Sequence, residues 1–114
     1  MFRLRFPVGA VCSFAHRISG VLLALFLPAV IYVLRQSLDG PSGYAAAARL
    51  MSSIPAKAAA ALFLWALAHH VLAGVRDLLM DADLGSSLAA ARRSAESVNL
   101  LGALLAILAL GVLW

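Results

Sequence analysis

The chain has 114 residues, of which 64% are apolar and 12% charged, with a formal net charge of +4. An ordinary soluble domain is about 45–50% apolar, and a chain this short has too little interior to hide the excess from water. The nine Lys and Arg are scattered at the margins of apolar runs rather than gathered into a cluster with aromatic neighbours, the pattern of helix-end anchors facing lipid headgroups; nucleic-acid binding is not supported.

The N-terminal stretch carries Arg3 and Arg5, and a helix is expected from near Val8. The first uninterrupted apolar run is Ile18 to Leu34, closed by Arg35 and Gln36, with Pro28 inside it. Membrane helices tolerate such a proline. The run is long for the apolar stretch of a signal peptide, and Leu34-Arg35-Gln36 lacks the small residues of a cleavage site, so it is read as a span. The chain also opens without the Ser- and Arg-rich stretch of an organelle transit peptide, and a bacterial inner membrane is the expected location.

A turn is expected at Asp39-Gly40-Pro41, followed by a short surface helix over Tyr44 to Met51. The second apolar run is Ala58 to Val75, closed by Arg76 and Asp77. A charged connection from Arg76 to Ser97 leads to the third run, Val98 to Trp114. Each run is about 17 or 18 residues long, at the short end of the spanning range, and flanking Arg and Trp extend the reach. The fold class is therefore all-α and integral membrane, one domain with spans near 14–35, 57–76 and 97–114.

Three spans put the N-terminus and the second connection on one side, with Arg3, Arg5, Arg17, Arg76, Arg92 and Arg93. Arg35, Arg49 and Lys57 fall on the other. The positive-inside bias places the N-terminus in the cytoplasm. Arg76 is then expected near the headgroups, with His70 about 9 Å deeper at 1.5 Å per residue.

Ionisable residues in a span are costly and mark functional sites by default. His70 has Ala66, Ala73 and Gly74 one turn away, small side chains that leave a flat slot such as a porphyrin needs. A low-polarity imidazole suits a haem axial ligand. Equally, the small residues can pack a neighbouring helix while His70 hydrogen-bonds across it. His69 points about 100° away, beside Trp65 and Leu72, and is read as structural. Asp77 and Asp81 continue the His70 stripe as a candidate proton path; Asp83 is read as solvated. Ser13, His16, Arg17 and Gly20 share one face of the first helix at i, i+3, i+4 and i+7 spacing. They can hold a polar headgroup with its tail in lipid, or the propionates of a haem; alternatively Arg17 snorkels to phospholipid. Cys12 is read as a small buried apolar residue, and a single cysteine excludes thioether-linked haem.

Two motifs resemble those of the cytochrome b subunits of succinate dehydrogenase, the larger membrane anchors of respiratory complex II. Ser13-Phe14-Ala15-His16-Arg17-Ile18-Ser19-Gly20 is similar to S-x-x-H-R-x-S-G, and the stretch from His70 through Gly74 and Arg76 to Asp81 to H-x-x-x-G-x-R-H-L-x-x-D. Arg5-Phe6-Pro7, the connection from Pro41 to Lys57 and Arg92-Arg93-Ser94 also match, so the resemblance covers nearly the whole chain. It implies a membrane anchor of succinate–quinone oxidoreductase, inactive alone, that takes electrons from a flavoprotein through an iron–sulfur subunit to a quinone.

By the same resemblance His70 is an axial ligand of a haem b whose other histidine comes from a second small anchor. Ser13 and Arg17 match quinone-site residues, and His16 and Arg17 groups near the haem propionates, with Gly74 beside them. Two departures stand out. Asp77 replaces the family's histidine after the motif arginine, and the N-terminal R-P-x-S-P-H-L segment is absent. The alternatives are a haem-free membrane scaffold or assembly protein, with both histidines used for packing, or a haem b subunit of another quinone oxidoreductase.

Overall fold

A computed structural model describes residues 8–114; Arg3, Arg5, Phe6 and Pro7, used above for orientation and resemblance, lie outside the described residues. The chain forms α1 (Val8–Ser37), α2 (Gly40–Met51), α3 (Ile54–Asp81) and α4 (Leu88–Leu113). Among the described residues there is no strand. The three long helices have 30, 28 and 26 residues, or about 45, 42 and 39 Å at 1.5 Å per residue. Each is long and apolar enough to cross a bilayer, whose hydrocarbon core is about 30 Å thick.

The helices overrun the apolar runs because charge ends lipid contact without ending the backbone hydrogen-bond ladder. The expected connection from Arg76 to Ser97 is accordingly mostly helical, and only Ala82 to Ser87 leaves the ladder. Asp83 takes a positive φ of 62° and Gly85 one of 68°, conformations that Asp and Gly adopt most readily. Asp83 is exposed, yet its carboxylate accepts a 2.7 Å bond from Ser86 Oγ. Ser87 then caps α4, its hydroxyl accepting from Ala90 N, as Ser53 caps α3 by accepting from Ala56 N. The first turn is tighter than expected: Pro41 lies in the opening turn of α2 instead of interrupting it, where its missing N–H costs nothing.

The interior is built from small residues. Ala61, Ala66, Ala73, Ala95 and Cys12 are buried, with Val98 the largest aliphatic among them, while Leu25, Leu27, Ile31, Leu104 and Val112 face outward. Helices in lipid gain nothing from hiding leucine, so close approach through small side chains drives their packing. α3 is central, packed on both α1 and α4. The first half of α1 lies beside the second half of α3 and the first half of α4, since Cys12, Ala73, Ala95 and Val98 form one cluster. At the other end Phe26 meets Phe63 edge-on and Lys57 Nζ lies 5.5 Å from the Trp114 ring centre.

Candidate functional site

All three histidines lie in the half of the bundle that holds the beginnings of α1 and α4. His70, on α3, turns toward α1. Its Nδ1 is 3.2 Å from Ser19 Oγ and 3.3 Å from the carbonyl oxygen of His16. The Ser19 hydroxyl donates its own hydrogen to that same carbonyl at 2.7 Å, so toward the ring both neighbours act as acceptors. Nδ1 therefore carries the proton and Nε2 the lone pair. Among the described residues no hydrogen bond reaches that Nε2. A metal-binding histidine has this arrangement, one ring N–H tied to a carbonyl and the other nitrogen left to bind.

Helix α1 approaches at Gly20: a Cβ placed there would lie 3.1 Å from His70 Cε1. A side chain at this position would be tighter than ordinary van der Waals contact, so the imidazole or α1 would have to give by a few tenths of an ångström. The expected slot beside His70 is not open in the way its small residues suggested. Ala66 and Ala73 are fully buried, used up in bringing α3 against its neighbours. Gly74 faces the edge of His16, 3.8 Å from a Cβ position to His16 Nε2. The His16 ring itself packs on His70, with centroids 4.4 Å apart and planes at 39°.

His69 turns the other way and is the largest fully buried side chain among the described residues. Its Nε2 pairs with Asn99 Oδ1 on α4 at 3.1 Å, and Gly102 gives the ring its space. Its Nδ1 is buried without a partner among the described residues. Neither nitrogen is presented outward. Asn99 belongs to none of the motifs; its signal in the sequence is a lone polar residue at the start of the third apolar run.

The four-residue stripe of α1 divides. His16 is half-buried against α3, whereas Ser13 and Arg17 are exposed and line an open groove of about 550 Å³ with Ala10, Val11 and Phe14. The stripe spans about 100° of helix circumference, and the edge of the α1–α3 contact runs through it.

Arg76 points into the bundle. Its side chain is only 9% exposed, turned inward to donate from Nε to Ser94 Oγ at 2.9 Å and from Nη2 to the Ala91 carbonyl at 3.2 Å. The opening turns of α4 supply those acceptors. Asp77 lies between, with Oδ1 3.3 Å from Arg76 Nη1 and Oδ2 3.5 Å from His16 Nδ1. Asp81, one turn further, is exposed and forms no hydrogen bond or ion pair among the described residues.

Residues 1–110 match the family model described as the succinate dehydrogenase/fumarate reductase transmembrane subunit. The chain is 33% identical over 113 residues to a succinate dehydrogenase cytochrome b556 subunit of Coxiella burnetii, covering 98% of this chain and 90% of that one. A cytochrome b556 subunit of Paracoccus denitrificans is 29% identical over 106 residues, covering 93% and 82% of the two chains.

Proposed function

The chain belongs to the succinate dehydrogenase/fumarate reductase transmembrane subunit family, and from that premise we propose that it anchors a succinate–quinone oxidoreductase, helps bind haem b and contributes to quinone reduction. The observation that carries this reading is the setting of His70: Nδ1 faces the His16 carbonyl and the Ser19 hydroxyl, so the donor set fits a haem ligand through Nε2. The second ligand would come from another small anchor subunit. His16 and Arg17 would lie near the haem propionates, with Gly74 leaving His16 its space. Bound there, haem b supplies one-electron storage between iron–sulfur clusters and quinone.

The chain's own residues orient and bind. Ser19 and the His16 carbonyl hold the His70 ring, and Gly20 lets α1 close against it. Ser13 and Arg17 offer a hydroxyl and a fixed positive charge on the outward groove, donors suited to a quinone carbonyl that gains negative charge. Asp77 lies between this network and the end of the bundle and Asp81 beyond it, in the position of a proton path. The partners in this reading are a flavoprotein, an iron–sulfur subunit, a second anchor and the lipid bilayer.

Purifying the complex through a tag on this chain tests the function. It should bring down those three partners and show a low-spin haem b reduced on adding succinate. Haem reducible by another quinone-linked donor but not succinate would assign the chain to a different oxidoreductase, and absence of haem would leave a scaffold. The N-terminal end of the bundle is assigned to the cytoplasm of a bacterium. Reporter fusions after Gly43 should then read periplasmic and fusions between Ser86 and Ser94 cytoplasmic; the reverse pattern overturns that orientation.

A further inference from the structure

We propose that Asp77 is a positioning residue for the haem site and acts through His16. The inference rests on the haem reading above and concerns the one position where the second motif departs from its family. A line of contacts crosses the bundle. Ser94 Oγ and the Ala91 carbonyl on α4 fix the Arg76 guanidinium. Arg76 Nη1 donates to Asp77 Oδ1 at 3.3 Å, and the other oxygen, Oδ2, lies 3.5 Å from His16 Nδ1. The His16 ring lies 4.4 Å from the His70 ring, and the His16 carbonyl takes the His70 Nδ1–H.

A carboxylate suits this place because it has two acceptor oxygens, one for each neighbour. A histidine here would bring a second imidazole to a guanidinium and could not accept from both sides. With Oδ2 3.5 Å away, His16 Nδ1 is the nitrogen suited to carry hydrogen, and the contact orients the ring toward the carboxylate. Its contact with His70 then limits rotation of the ligand ring. The Asp77 side chain is 48% exposed and that of His16 26%, so the contact itself adds little to stability; its effect is to fix geometry.

Electron paramagnetic resonance of the oxidised haem reads the orientation of its axial ligands. The assembled complex is compared in four forms: unaltered, Asp77→Asn, His16→Gln and the double variant. Asparagine keeps an oxygen for Arg76 and removes the charge facing His16; glutamine avoids the gap that alanine would leave. The g values should shift in Asp77→Asn and in His16→Gln, while the double variant should match His16→Gln alone, the non-additivity expected of residues acting in series. An Asp77→Asn signal identical to the unaltered one overturns the proposal. So does an Asp77→Asn shift of equal size in the His16→Gln background, because the carboxylate would then act without His16. An unaltered complex with no haem signal overturns the haem reading itself, and this inference with it.

Discussion

Replacing His70 with alanine is expected to remove the low-spin haem spectrum from the assembled complex, whereas His69→Ala should leave that spectrum in place and lower the thermal midpoint. Adjacent in sequence, the two histidines belong to different interfaces. His70 presents a ring with one nitrogen tied down and the other carrying its lone pair. His69 is enclosed between α3 and α4 with its Nε2 on Asn99. Its removal loses an interhelical hydrogen bond, worth about 0.6 kcal/mol on average in membranes, and leaves a cavity. Emptying a packed site of a large side chain costs about 2–5 kcal/mol, so packing dominates the loss. Gly20→Ala provides an intermediate case. Its new Cβ would press on His70 Cε1 at 3.1 Å, so the imidazole or α1 must move, and a shifted, partly lost haem signal is expected. Loss of the spectrum in His69→Ala with normal assembly would reverse the assignment of the two rings.

Arg17→Leu is expected to lower quinone reduction by the complex on the order of 100-fold, the size of effect seen when a donor to developing negative charge is removed. Ser13→Ala removes a neutral hydrogen bond of about 1–1.5 kcal/mol and should cost about tenfold. Both residues line the outward groove of α1, and neither takes part in a hydrogen bond or ion pair among the described residues, so their loss should leave the bundle's packing unchanged. Arg17 keeps its charge throughout the cycle. Succinate oxidation measured with an artificial acceptor that draws electrons from the soluble subunits should survive in both variants. Equal loss of the two activities means failed assembly, and unchanged quinone reduction leaves Arg17 as a lipid anchor.

The spans were legible because lipid imposes a length and a polarity on each run, and Ile18–Leu34, Ala58–Val75 and Val98–Trp114 satisfy both. Helix ends were less so: Arg76 and Asp77 stop the apolar run, but nothing in either residue stops α3. That His69 and His70 face different helices was legible from helix geometry, since 100° of rotation sends neighbours to different faces. What filled the space around them was not. Ala66, Ala73 and Gly74 read equally as a vacant slot or as a surface for close helix packing, and only the position of the neighbouring helices distinguishes the two. The inward turn of Arg76 depends on acceptors fifteen or more residues away, Ala91 and Ser94. Likewise the tightest approach to His70 comes from Gly20, fifty residues earlier on another helix.

Whether His70 of this chain serves as a haem ligand is tested most directly by chemical rescue. In His70→Gly complexes, the missing ring leaves room for a free imidazole to bind in its place. Low-spin haem should be absent or converted to high spin in that variant, and added imidazole should restore the low-spin spectrum in a saturable manner. A normal low-spin, succinate-reducible spectrum in His70→Gly before any imidazole is added would contradict that role.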